Sequence, residues 1–401
     1  MDKVLEVVEG FHPDLKDDDS VDRLNSRWTV IILMIFCVVV AGETYVGTPI
    51  KCWAPQHFTD SHEKYMNNFC WVKNTYYYPM QTDLPLISEG DEGKHFIPYY
   101  QWIPFILLIQ AVLFYFPSVI WRSFNQSAGI DADNILKAAF DLEKVIEQDI
   151  RENSLGVIVQ LMHRYLISRS KNRKVFFICS RRYGCYLLVL YLFSKLLYLT
   201  NVTIQFLSLS YILGTSYGIY GIRAIYEFRS LTTPSNPTFP RVTMCDFRTR
   251  RLGNVHRYTV QCCLPINMYN EKVYVFLWFW FLFVALLTTL NLLLWIVRSL
   301  WYGGKVNYIF NHLSKDDRES LENTGNSKRL QKFVTRYLRS DGVFLIRLIN
   351  HNMSKRTTDE ITSMLFNLWT QEFNDTIING NSMFGEDQPD NQLFDDEPVN
   401  L

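Results

Sequence analysis

Eight cysteines are the residues in this 401-residue chain best suited to do chemistry. Five of them fall into two groups, Cys52 with Cys70 and Cys245 with Cys262 and Cys263. Grouped thiols either oxidise to disulfides or hold zinc. Zinc sites use close C-x₂₋₄-C spacing, whereas 17 residues separate Cys52 from Cys70 and 16 separate Cys245 from Cys262. Only Cys262 and Cys263 are closer. Disulfides are therefore the expected chemistry, with no metal, and the count alone leaves the pairing open. Bridges closing loops of that size stabilise a domain by about 3 kcal/mol each. They persist only in an oxidising exterior. Cys37, Cys179 and Cys185 lie in or beside apolar runs or on the reduced side, and are expected to be free thiols.

Other reactive patterns are absent. The chain has no G-x-x-x-x-G-K-[ST], no G-x-S-x-G and no H-E-x-x-H, so neither an enzyme nor a cofactor is indicated. His57 and His62 read as solvated loop residues. Two ionisable groups interrupt apolar sequence. Glu43 stands near the far end of the first apolar run, either at the interface or lining a watery path. Lys195 shares a helical face with Tyr191, Ser194, Tyr198, Asn201, Gln205 and Ser208. Such a stripe faces other helices or water, because facing lipid is costly.

Four apolar runs must position these residues. A polar, acidic segment (1–27), with eight carboxylates against four basic residues, precedes the first run (28–45). A loop (46–98) leads to the second run (99–121), which belongs to a stretch of 26 uncharged residues, Phe96–Trp121. That exceeds the ~20 needed to cross a bilayer. Tyr99, Tyr100 and Trp102 cluster at its start, where amphipathic rings favour the headgroup level. Pro104 is tolerable in the first turn, and Pro117 is expected to kink the helix. A second loop (122–182) has helical apolar spacing, with Ile135, Ala138, Leu142, Val145 and Ile146. The third run (183–213), a third loop (214–272) and the fourth run (273–297) follow. In the last region (298–401), helices are expected over 321–348 with a break at Asp341-Gly342, then an acidic, disordered tail. The predicted fold class is an all-α membrane protein with four transmembrane helices, a disulfide-stapled extracellular domain and a helical cytoplasmic domain.

Basic residues set the orientation. The amino-terminal segment, the middle loop and the last region hold 27 Lys and Arg; the two cysteine-bearing loops hold 12. Both termini are thus expected in the cytoplasm and both cysteine groups outside. Forty basic residues balance forty acidic ones, so no nucleic-acid partner is implied.

Several strings carry a family resemblance: Tyr99-Tyr100-Gln101-Trp102, Asp22-Arg23-Leu24-Asn25-Ser26-Arg27, Pro240-Arg241-Val242-Thr243-Met244-Cys245-Asp246-Phe247, and Tyr269-Asn270-Glu271-Lys272 before a Trp/Phe-rich last span. With two cysteines in each outer loop, they make the chain resemble the innexins, subunits of invertebrate gap junctions, in particular their nematode members. Ile103 replaces the usual Val after the signature, and Cys263 is an extra cysteine. The resemblance implies pairing of Cys52 with Cys262 and of Cys70 with Cys245. It implies a plasma-membrane, multi-pass protein of gap junctions. Rings of about six to eight subunits, homomeric or mixed with other innexins, would enclose a wide pore and dock onto a ring of the adjacent cell. Ions and small molecules would pass. It also places the amino-terminal segment in the pore mouth, making Asp2, Glu6 and Glu9 pore-lining candidates beside Glu43. Two alternatives remain at this level: a pannexin-like channel that does not dock, and a tetraspan adhesion protein without a pore. Neither outer loop has an N-glycosylation acceptor, since Asn236 precedes proline, and that favours docking.

Overall fold

Apolar runs fold as helices because hydrocarbon offers no partner for backbone N–H and C=O groups. The computed structural model describes residues 19–78, 95–127, 132–144, 147–167, 184–212, 220–222, 226, 238–323 and 327–379. The chain enters at α1 (Ser20–Tyr45), in which Leu24–Trp28 is a π turn. The first outer segment holds β1 (Lys51–Cys52), α2 (Asp60–Lys73), β2 (Thr75–Tyr77) and β3 (His95–Ile97). A 3₁₀ turn, Tyr99–Gln101, leads into α3 (Ile103–Ser127), with Pro117 inside it. Next come α4 (Ala132–Lys144), α5 (Gln148–Ile167) and α6 (Tyr186–Ile212). The second outer segment forms β4 (Val242–Arg251) and β5 (Asn254–Cys263), followed by α7 (Pro265–Leu300). The last region folds as α8 (Tyr302–Asn311), α9 (Lys315–Asn323), α10 (Ser327–Lys332), a π turn (Phe333–Leu338), α11 (Arg339–Asn352) and α12 (Lys355–Asn379). By length and composition, α1, α3, α6 and α7 can each cross a membrane.

The chain divides into two compact units. One contains most of the span residues and the outer domain. Its bundle core joins Leu33 and Val40, Leu107 and Phe114, Val202 and Leu209, and Leu277 and Phe281, one pair from each spanning helix. Its outer domain is not the pair of loops expected from the sequence. It is built on a five-stranded antiparallel sheet in the order β1-β5-β4-β2-β3. β-Branched and aromatic residues such as Val242, Phe247, Val255, Tyr258 and Val260 suit a pleated surface. Leu252 and Gly253 turn the hairpin at φ +48° and +89°, as two-residue hairpin turns demand. Leucine there replaces the usual Asn or Asp, which hides the hairpin signal. α7 begins about two turns ahead of the uncharged run, because Pro265 is well placed at a first helical position.

The other unit is helical. Ile135, Leu142, Leu155, Val159 and Met162 are buried, as are Phe333, Tyr337, Leu345, Leu365 and Trp369. Phe333 meets the rings of Phe366 and Trp369 at 5.1 and 5.4 Å. The break expected at Asp341-Gly342 is displaced. The distorted residue is Arg339, at φ +54°, and Asp341 and Gly342 are buried in the first turn of α11. A Cβ on Gly342 would lie 3.0 Å from the Leu338 side chain and 3.2 Å from that of Leu166. The glycine serves close packing rather than a turn.

Candidate functional site

Two polar constructions inside the first unit set its geometry. In the outer domain, Cys52 bonds Cys262 and Cys70 bonds Cys245, joining residues 210 and 175 positions apart. Cys52 and Cys262 are direct partners across β1 and β5. The sulfurs of Cys52, Cys70 and Cys262 lie within 4.8 Å of one another. Both bridges therefore share one small core with Met66, Phe247 and Val260. Each closes a much longer loop than a bridge within one outer segment, raising its chain-entropy contribution, taken alone, to about 5 kcal/mol. Cys263 is free and exposed. The Cys37 thiol donates to the Pro104 carbonyl at 3.3 Å. Cys185 is disulfide-bonded, against the expectation of a free thiol. That expectation rested on where bridges persist, which does not decide which sulfurs can meet. Cys179 lies outside the described residues.

The Tyr99–Trp102 string clasps the same domain. Tyr99 O–H donates to the Thr238 carbonyl, and its ring meets Phe239 edge-on at 5.5 Å. Tyr100 O–H donates to the Trp71 carbonyl at 3.3 Å. Gln101 Nε2 donates to that carbonyl and to Asn74 Oδ1, the latter at 3.2 Å. Burial pushes the Tyr100 phenol up to about 12. Tyr99 and Tyr100 are therefore interior residues: Tyr99 ties the start of α3 to the segment ahead of β4, and Tyr100, with Gln101, ties it to the end of α2. Of the three rings read as headgroup anchors, Trp102 alone is exposed.

The second construction stands at the foot of α1. Asp22, Asn25, Ser26 and Thr29 occupy one helical face and are all buried. Both oxygens of Asp22 accept from Lys195 Nζ at 2.9 Å, and Oδ2 also accepts from Tyr191 O–H at 2.9 Å. Asp19 Oδ2 accepts from Asn291 Nδ2 at 2.6 Å and from Trp295 Nε1 at 3.2 Å, and lies 3.6 Å from Lys195 Nζ. Lys195 also sits 4.7 Å from the centre of the Tyr191 ring. Asn25 Nδ2 donates to Thr288 Oγ1 at 2.9 Å, and Trp280 Nε1 to Thr29 Oγ1 at 3.0 Å. The polar stripe on α6 is thus turned into the bundle, with Tyr191, Ser194, Lys195, Tyr198 and Gln205 all buried. Lys195 was legible as an intramembrane charge. Its partners were not, because Asp19 and Asp22 stand in the polar, acidic segment ahead of the first apolar run, where no local pattern marks them as buried.

A family model described as Innexin matches residues 18–369. The chain belongs to the innexin family. It is similar to Innexin unc-9 of Caenorhabditis elegans, at 34% identity over 88% of this chain and 92% of the relative. Innexin-3 of the same species is 38% identical over 87% of this chain and 83% of the relative. Innexin-19 of Caenorhabditis briggsae is 33% identical over 88% and 86%.

This innexin is a multi-pass plasma-membrane protein and a subunit of a gap-junction channel. In it, the Tyr-Tyr-Gln-Trp string orders the outer domain, and the Asp22–Arg27 string anchors the first span to α6 and α7. Of the pore-lining candidates, Glu43 is half-buried in the last turns of α1. Asp2, Glu6 and Glu9 lie outside the described residues.

Proposed function

We propose that this innexin assembles in rings of about six to eight subunits, of its own kind or mixed with other innexins. Each ring encloses an aqueous pore, and its outer domain docks onto a ring of the adjacent cell. The observation that carries the reading is the distal half of the β4–β5 hairpin. β1 pairs with β5 only at Cys262 and Cys263, and β2 pairs with β4 only at Met244. From Phe247 to Tyr258 both outer edges lack a partner strand among the described residues. Open edges are templates for another chain. Two disulfides hold this one in a fixed attitude.

Asp2, Glu6, Glu9 and Glu43 line the permeation path in this reading. Repeated around a ring, carboxylates favour cations. The test is dual recording from paired cells and single-cell recording of the same protein. Junctional current between pairs supports docking; current confined to single cells would replace docking with an undocked channel. Reversal potentials of the Asp2→Asn, Glu6→Gln channel test the pore assignment, and an unchanged cation preference overturns it.

A further inference from the structure

The last span runs directly into a second helix start. α7 ends at Leu300 with Arg298 in its last turn, and α8 begins at Tyr302. Trp301, at the N-cap position, has extended backbone and makes no side-chain cap, and no acidic residue lies in the first turn. Such a start leaves backbone N–H groups without intrahelical acceptors, at the positive end of the helix dipole. Gly303 and Gly304 follow, and the side chain nearest to where their Cβ atoms would stand is the Trp301 indole, at 3.6–3.7 Å.

Three cations stand around that start. The Arg347 guanidinium, on α11, donates to the Arg298 carbonyl at 3.2 Å and lies 5.1 Å from the Tyr308 ring centre. Lys305 Nζ, on α8, reaches Ser340 Oγ at 3.5 Å. Arg298 itself is exposed. Burial lowers Lys305 from its ordinary value, and the Arg347 charge lowers it further. Burial lowers Arg347 as well, with the Tyr308 phenol opposing and Arg298 adding to the effect. No carboxylate is among the groups acting on either cation. None forms an ion pair with Arg298, Lys305 or Arg347 among the described residues. Half-buried like charges of this kind are unfavourable until an anion joins them. Leu300 is 78% exposed and Trp301 69%, and Trp favours the interface where hydrocarbon gives way to headgroups.

We propose that Arg298, Lys305, Arg347 and the uncapped start of α8 form a binding site for the phosphate of an anionic lipid headgroup. The guanidinium groups hold phosphate oxygens by charge-assisted hydrogen bonds, and the N–H groups of α8 complete the cradle. A soluble phosphate offers the same oxygens, but no acyl chain for Leu300 and Trp301 to lie against.

Native mass spectrometry of the detergent-purified full-length protein tests this. Phosphatidylserine, phosphatidylcholine and inorganic phosphate are added in separate arms. The wild type is expected to retain phosphatidylserine over phosphatidylcholine, with inorganic phosphate failing to displace it. Arg298→Gln and Lys305→Gln are each expected to lower retention about fivefold, the share of one basic residue near an anionic leaflet. Arg298 is exposed, so its variant keeps the fold and decides the matter even where Arg347→Gln fails to assemble. Unchanged retention in a double variant that elutes with the wild-type oligomer overturns the site. Full displacement by inorganic phosphate overturns the lipid as its source.

Discussion

Lys195 and Asp22, 173 positions apart, form an ion pair at 2.9 Å inside the span bundle. They are only 1% and 2% exposed. Neither charge is tolerable there alone, and each supplies the reason for the other.

Removing Lys195 therefore strands the buried Asp22 carboxylate. Lys195→Met is expected to cost about 3–5 kcal/mol, visible as lost surface expression and a broad elution profile. The paired change Lys195→Met, Asp22→Asn removes both charges and is expected to recover much of the loss. A double variant no better than the single one would show that the pair does not act as a unit.

The outer bridges are expected to be unequal to the free thiol beside them. Cys70→Ser opens the bond to Cys245 and removes about 2–5 kcal/mol from the domain, abolishing coupling between paired cells. Cys263→Ser is expected to leave coupling intact, since Cys263 is free and exposed. In the wild type, Cys263 should react with a membrane-impermeant thiol reagent applied outside the cell. Normal coupling in Cys70→Ser overturns the role given to the bridge.

Asp341 gives the cytoplasmic unit a pH dependence. Leu188 N–H and Tyr165 O–H each donate to its carboxylate at 3.2 Å, yet burial outweighs them and raises it to about 6. The folded state thus binds this proton more tightly than the unfolded chain. The contribution is most favourable below about pH 4 and is lost as pH rises towards 6, by roughly 3 kcal/mol for a shift of about two units. Asp341→Asn is expected to flatten that part of a melting-temperature profile. An unaltered profile rules out Asp341 as its origin.

Leu252 separates stability from docking. Its side chain is fully exposed at the hairpin tip and its φ is +48°, a conformation that costs a β-carbon-bearing residue about 1–2 kcal/mol. Asn tolerates it better. Leu252→Asn is expected to hold or raise the melting temperature of the outer domain while junctional conductance falls severalfold. Conductance at the wild-type level would place docking elsewhere.

Much of this protein could be read from the chain itself. A span announces itself because some twenty uncharged residues have only one acceptable backbone state in hydrocarbon. Grouped cysteines and the excess of Lys and Arg on one side likewise act through composition and local spacing. The outer sheet escaped that reading, because Leu252 stands where a hairpin usually shows Asn, and because β1, β2 and β3 are too short to register. Asp341-Gly342 looked like a turn and is a packing joint, since only the folded chain brings Leu166 and Leu188 beside it. Asp22 belonged, by sequence, to the polar, acidic segment ahead of the first span. Its burial depends on a lysine more than 170 residues onward, and a partner that distant is supplied by tertiary packing, which leaves no periodicity in the sequence.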